Sequence, residues 1–261
     1  MIMRCESFAA SDKGQVRQLN EDSLIANEQE GVFLVADGMG GLSKGDIASR
    51  IAVETVNRFI TESRLEDITW PIKPQDQYSM EENRFLAAIS LANWNVYSEF
   101  LKDDRNSAMG TTLVGLLVDK QAAIITNIGD SRVYLIRDGG IQQVTEDHSL
   151  VMEEVRKGNM TPEEARVHPQ RHVINRALGI AETARVDISS IDIQEGDLFL
   201  LCSDGLSDML TDEELLGITR SHPGGALSEL GGLMLQAAND RGGKDNISLV
   251  LVRFHDEGSP A

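Results

Sequence analysis

Asp37-Gly38 and Asp204-Gly205 stand at or near the end of an apolar run, VFLVA in one case and DLFLLC in the other. An Asp-Gly pair is ordinarily a hairpin turn, and Asp138-Gly139, flanked by strand-like segments, reads that way. At Asp37 and Asp204 no second strand follows promptly; a polar loop leads on to helix-like sequence. Two more acids are similarly placed, Asp245 in GGKDNISLV before the last apolar run and Asp130 in NIGDSRVYL between two others. Carboxylates gathered from several strand ends repel, by about 4 kcal/mol for two charges ~4 Å apart at an effective dielectric of about 20. Such a cluster requires cations between its members. The one cysteine near these acids, Cys202, lies inside an apolar run and few histidines are close, so oxygen ligands would favour Mg²⁺, Mn²⁺ or Ca²⁺ over zinc. A pair of these ions can activate a bridging water and clamp phosphate oxygens during in-line attack, which points to hydrolysis of phosphate esters.

The glycine-rich segment DGMGGLSKG, residues 37–45, satisfies neither GxxxxGK[ST] nor GxGxxG, so it is not a nucleotide-binding loop. Its glycines permit close backbone approach and leave the Gly38 carbonyl free to face a metal. Arg17 lies four residues before Glu21 in GQVRQLNEDS. A fixed guanidinium there would bind phosphate through paired hydrogen bonds, the alternative being a surface salt bridge with Glu21.

The elements that must position these groups follow from apolar patterning. VFLVA, TLVGLLV, AAIITNI, RVYLI, DLFLLC and ISLVLVRF are short apolar runs bounded by turn residues and read as strands. The breaks DKQ and GDS have hairpin length, which predicts antiparallel pairing of the three middle runs. Helical periodicity occupies residues 45–62, 81–102 and 225–239. Thr161-Pro162-Glu163-Glu164 and Thr211-Asp212-Glu213-Glu214 each offer a Thr cap with Glu three places on. Residues 63–79, with Trp70, Pro71 and Pro74, read as an exposed excursion between helices. Together these predict an α+β chain of two packed antiparallel sheets flanked by helices. The expected organisation is one domain over residues 1–255 with a frayed tail from 256 to 261.

With 261 residues, 41% of them hydrophobic and 25% charged, the chain is composed as a globular protein. Lys and Arg number 24 against 42 Asp and Glu, a formal charge of −18 that repels nucleic acid and anionic membranes. No apolar run is long enough for a membrane span, and MIMRCESFAASDKGQ lacks a signal peptide's basic flank and apolar stretch, so a cytoplasmic protein is expected. The two cysteines, Cys5 and Cys202, have no CxxC spacing, and Cys202 is expected to be a buried structural thiol.

In order along the chain, SDKGQVRQLNEDS, VFLVADGMGG, MGTTLVGLLV, NIGDSRVYLIRDG, DHSLVMEEVRKGNMTPEEARVHPQRHVINRALG, GDLFLLCSDGLSDML and GGKDNISLVLV resemble the PP2C-type, or PPM, metal-dependent serine/threonine protein phosphatases in their bacterial form. The resemblance spans nearly the whole chain. It implies an α/β/β/α sandwich with a binuclear Mn²⁺ or Mg²⁺ centre at one end of the sheets, and phosphorylated protein substrates of a Ser/Thr kinase. By that resemblance Asp37 bridges the two metals, the Gly38 carbonyl binds one, and Asp204 with Asp245 holds the other. Glu21 and Asp22 match acids that reach the metals directly or through water, Arg17 the phosphate-binding arginine, and Asp130 with Asp204 the ligands of a third ion often found in bacterial members. Residues 147–180 look like the flap beside the active site. The family commonly carries a proton-donating histidine soon after the first Asp-Gly, but Leu42 follows DGMGG here, leaving His148, His168 and His172 of the flap as substitutes. Two other readings are a catalytically weak phosphoprotein-binding module of the same fold and a small-molecule phosphatase; the presence of Asp37, Asp204 and Asp245 together favours an active catalyst.

Overall fold

A computed structural model describes residues 3–40, 44–66, 68–101 and 109–256. Its elements are β1 (Met3–Asp12), β2 (Asp22–Asn27), β3 (Val32–Gly40), α1 (Gly45–Leu65), α2 (Met80–Leu101), β4 (Met109–Thr111), β5 (Leu113–Asp119), β6 (Ala122–Ile128), β7 (Arg132–Arg137) and β8 (Gly140–Gln143), then α3 (Leu150–Arg156), α4 (Pro162–Val167), β9 (Asp187–Asp192), β10 (Leu198–Cys202), α5 (Asp204–Ser207), α6 (Asp212–Ser221), α7 (Leu227–Asp240) and β11 (Ile247–Asp256). One sheet runs β1-β11-β10-β7-β8 and the other β2-β3-β5-β6-β9, with β4 paired to β3. Every strand pairing in them is antiparallel.

The runs are apolar at consecutive positions because both faces of each sheet are covered. On β3, Val32, Leu34 and Ala36 pack under α1 and α2, while Phe33 and Val35 enter the layer between the sheets. On β10, Leu200 and Cys202 face α5–α7, and Phe199 and Leu201 face inward, where Phe199 meets Phe254 edge-on at 5.8 Å. The result is the expected α/β/β/α sandwich. Each fully buried aliphatic or aromatic side chain contributes about 1.5–3 kcal/mol, so the three apolar layers dominate the energetics.

Both predicted capping boxes form, with the Thr161 hydroxyl accepting from Glu164 N and the Thr211 hydroxyl from Glu214 N while each Glu returns the bond. Asp138 and Gly139, at φ 51° and 71°, make the tight turn between β7 and β8. Cys202 is buried, and burial pushes its thiol up to about 12.

One expectation fails and another holds only in part. DKQ does close the β5–β6 hairpin, but GDS does not pair β6 with β7: β6 lies in one sheet and β7 in the other. Gly129 takes φ +111° and turns the chain across the sandwich, so that Asp130 arrives at the sheet ends instead of in a surface turn. Residues 63–79 are an exposed excursion only in part: Pro71, Pro74, Gln75 and Gln77 are exposed, but apolar side chains among them are anchored. Ile68, Trp70 and Ile72 pack on the helix-side core, Trp70 lies edge-on to Phe59 at 6.2 Å, and the Arg84 guanidinium sits 5.5 Å above the indole ring. The expected tail, apart from Asp256 at the end of β11, lies outside the described residues, as does Leu42.

Candidate metal centre and its cavity

Antiparallel pairing brings strand beginnings beside strand ends, and this is how acids far apart in sequence meet. Asp22 opens β2 directly opposite Asp37 on β3. Asp204 follows β10, Asp245 precedes β11, and Cys202 pairs with Leu249, so these two acids flank the same junction. Asp130 comes in on the sheet-crossing link. Arg17, Glu21, Asp37, Gly38, Asp130, Asp204 and Asp245 all line one cavity of about 500 Å³.

The backbone of Asp37 is locked on three sides. Its N–H donates to Thr112 Oγ1 (2.9 Å), and its carbonyl accepts from Thr112 N (2.9 Å) and Thr111 Oγ1 (2.9 Å). Gly38 is held between chains so tightly that a Cβ there would lie 2.0 Å from the Gly45 carbonyl oxygen and 2.5 Å from that of Glu21. Glu21 Oε1 accepts from Gly45 N (3.1 Å) at the start of α1, where the helix dipole favours a carboxylate. Asn246, which sequence reasoning passed over, staples the loop that carries these groups: its Oδ1 accepts from Glu21 N (2.9 Å), and its Nδ2 donates to Lys13 O (3.0 Å) and Leu19 O (2.9 Å). An amide stands beside Asp245 in the sequence, but nothing local shows that it reaches back across the whole chain.

Arg17 is half-exposed and pairs with Asp245, Nη2 to Oδ2 at 2.6 Å. The surface bridge to Glu21 is therefore not what forms. Arg17 stands on the cavity wall, where the hydrogen bond to Asp245, and after it the charges of Asp245, Asp37 and Asp204, push its pKa up against burial and so hold the guanidinium in its charged form.

Burial and mutual repulsion push the acids up. Asp22 rises to about 7, chiefly by burial and then by the charges of Asp204 and Asp245, against hydrogen bonds from Ser248 and Ser203. Asp204 rises to about 6 through burial and the charges of Asp208 and Asp245, with a hydrogen bond from Asp37 opposing. Asp37 and Asp130 are both held well above the carboxylate range, by burial first and neighbouring carboxylates second. Asp22 Oδ1 and Asp204 Oδ1 are buried with no hydrogen-bond partner. A buried anionic oxygen without a donor is costly, and hard divalent cations meet this donor set of carboxylates with Gly38 beside them on the cavity lining. The residues present thus fit Mn²⁺ or Mg²⁺.

The flap supplies the opposite wall. Arg171 and His172 line the cavity, and His172 Nδ1 lies 3.2 Å from Asp208 Oδ2. His172, Asp204 and Asp208 each offer one ligand atom, all within 4.8 Å of one another. Asp208 was not singled out from sequence; its place four residues after Asp204, one helical turn on, is the signal. His168 accepts from Gln170 N at the end of α4, and His148 is 1% exposed, so of the three flap histidines His172 is the one that lines the cavity. A second cavity of about 630 Å³ lies between α3, α4 and α5 and shares Asp130, Arg171, His172, Asp204 and Asp208 with the first.

The protein phosphatase 2C family model matches residues 12–251. The chain belongs to the protein phosphatase 2C family. It is 36% identical over 252 residues to the serine/threonine phosphatase stp of Listeria welshimeri, covering 93% of each chain. Among solved structures it is similar to the Mycobacterium tuberculosis serine/threonine phosphatase PstP/Ppp, with TM-score 0.84, 32% identity, and 98% and 100% of the two chains covered. It also matches the catalytic domain of PstP in complex with two manganese ions, with TM-score 0.82, 31% identity, and 97% and 100% covered. PP2C phosphatases depend on Mn²⁺ or Mg²⁺, and the acid cluster accords with that requirement.

Proposed function

We infer that the protein hydrolyses phosphoserine and phosphothreonine in other proteins with the help of Mn²⁺ or Mg²⁺. The observation that carries the reading is the convergence of Asp22, Asp37, Asp130, Asp204 and Asp245 from separate strand ends, with buried oxygens lacking partners, in a chain of this family. Bound divalent ions supply charge neutralisation and an activated water.

In this reading two ions would be held by Asp37, shared between them, with the Gly38 carbonyl serving one and Asp204 and Asp245 the other. Glu21 and Asp22 would reach the ions directly or through water, and Asp130 with Asp204 would hold a third. Thr111 and Thr112 fix the direction of the Asp37 backbone, and the glycine at 38 lets the Glu21 and Gly45 chains close around the carbonyl. Arg17 binds the substrate phosphate, and its link to Asp245 ties phosphate binding to the ligand set. The cavity opens beside the flap, which faces the polypeptide around the phosphoresidue. Substrates are phosphoproteins made by a Ser/Thr kinase. Among the described residues no helix is long and apolar enough to cross a membrane, and two unpaired cysteines suit a reducing, cytoplasmic setting.

The test is phosphate release from phosphoserine and phosphothreonine peptides with Mn²⁺, Mg²⁺ or chelator, beside a panel of phosphorylated metabolites. Metal-dependent release from the peptides is expected. Preference for one metabolite over every peptide would replace the protein substrate, and release that persists in chelator would remove the metals.

A further inference from the structure

Asp130 sits on a three-residue link between β6 and β7, and the link begins at a glycine in a left-handed conformation. Such a turn does not fix the direction of a carboxylate by itself. Three successive contacts hold it to residues 146–148, where the flap begins. Asn127 Nδ2 donates to the Glu146 carbonyl at 2.7 Å. The Arg132 guanidinium grips both Asp147 oxygens at 2.7 to 3.1 Å. His148 takes Gly129 from both sides: its N–H donates to Gly129 O (2.9 Å), and Gly129 N–H donates to its Nδ1 (3.1 Å).

The second of these bonds decides the tautomer. With Nδ1 accepting, the ring proton is on Nε2, which donates to Asp187 Oδ2 at 3.0 Å on β9. Arg176 Nη1 lies 3.1 Å from the same Nε2 but is satisfied by Asp187 Oδ1 at 3.0 Å. Asp187 thus orients the imidazole, and the imidazole presents a lone pair to the residue before Asp130. A histidine that merely filled space would need neither the lone pair nor the tautomer, and an apolar ring would leave a buried N–H unmade.

We propose that His148 is a positioning residue for Asp130: by holding both peptide groups of Gly129 it aims the Asp130 carboxylate at the cation it binds. The proposal rests on the reading of Asp130 as a metal-binding residue. His148 touches neither substrate nor ion; it acts through Gly129, as outer partners of metal ligands do.

Two variants of the full chain separate the ring's two bonds. In His148→Asn the amide oxygen stands where Nδ1 stood and still accepts from Gly129. In His148→Gln the amide reaches the Nε2 position and keeps Asp187 only. Mn²⁺ binding is measured by calorimetry, Gly129 amide exchange by NMR, and Asp130→Asn marks the site concerned. His148→Gln is expected to weaken that Mn²⁺ site about 10- to 100-fold and to speed Gly129 exchange, with His148→Asn within about threefold of wild type. In the wild type, diamagnetic Mg²⁺ should slow Gly129 exchange more than exchange in the β5–β6 hairpin; equal effects in the two places would overturn the proposal without recourse to any variant. If Asp130→Asn weakens Mn²⁺ but the two His148 variants bind it alike, His148 is a structural residue and the proposal falls alone. If Asp130→Asn leaves Mn²⁺ binding unchanged, the ligand role of Asp130 falls, and the proposal with it.

Discussion

Replacing Asp22 by Asn should stabilise the protein without metal and destabilise it with metal. Asp22 is buried against other carboxylates, one of its oxygens has no partner, and its carboxyl is pushed from 3.8 to about 7. The unfolded chain ionises at the ordinary value, whereas the folded metal-free protein keeps this proton until about pH 7. Between those values the native state binds more protons, so its stability falls as pH rises, and the penalty is complete above about pH 7. The gap corresponds to about 4 kcal/mol at most, since neighbouring acids share the relief when one is neutralised. Asn keeps an oxygen to accept from Ser203 Oγ, the 2.9 Å bond that Asp22 makes, so packing changes little. Thermal unfolding in chelator at about pH 8 should therefore show Asp22→Asn melting several degrees above wild type, at about 2 °C or more per kcal/mol. The advantage should shrink as pH falls below about 7 and vanish only below the unfolded value of 3.8, at about pH 3, where the wild-type carboxyl is protonated in both states. Saturating Mn²⁺ should reverse the order, because wild type gains the binding free energy of a fuller ligand set. A lower melting temperature for Asp22→Asn in chelator at about pH 8 would refute the electrostatic reasoning.

Asp37→Asn, Asp204→Asn and Asp245→Asn should each abolish Mn²⁺-stimulated hydrolysis with circular dichroism unchanged; near-normal turnover of Asp37→Asn at saturating Mn²⁺ would remove Asp37 from the site. Arg17→Ala should raise KM for phosphopeptides about 10- to 100-fold, the worth of a charge-assisted phosphate contact, and an unchanged KM would leave Arg17 as no more than the partner of Asp245. Gly38→Ala should cost about 3 kcal/mol in denaturant unfolding, since the new Cβ would meet only backbone atoms of Gly45 and Glu21 within 2.5 Å; wild-type stability would mean that β3 and α1 can separate there. Leu42→His should raise turnover of phosphothreonine peptides relative to para-nitrophenyl phosphate across about pH 6 to 9, because alkoxide departure needs a proton and phenolate departure does not; an unchanged ratio would mean that position 42 donates no proton.

What the sequence made legible were features whose cause is local. Consecutive apolar residues mark strands covered on both faces, Thr-x-x-Glu marks a helix start, and Asp-Gly without a second strand marks a carboxylate at a sheet end. Residues 45–62 and 225–239 accordingly read as helical and lie within or overlap α1 and α7. Partnership across the fold was not legible. GDS has hairpin length whether the chain turns back in its own sheet or crosses to the other, and the decision rests on Gly129 packing against Thr112, where a Cβ would lie 2.6 Å from that side chain. β1 and β2 escaped notice because they are edge strands with little apolar sequence, β1 alternating only over Met3 to Glu6 and β2 holding just Leu24, Ile25 and Ala26 in a row, a weaker pattern than the longer runs. Asp22 and Asp37 face each other only through strand register, and Arg17 meets Asp245 across 228 residues of chain. His148 shows the same limit from the other direction: inside DHSLV it looks like a flap histidine available for proton transfer, yet its Nδ1 is committed to Gly129 and its Nε2 to Asp187. Residue type therefore indicates the acids that gather cations, while the residues that aim them are set by tertiary contacts, and substitutions at the second kind should change metal affinity before they change the chemistry.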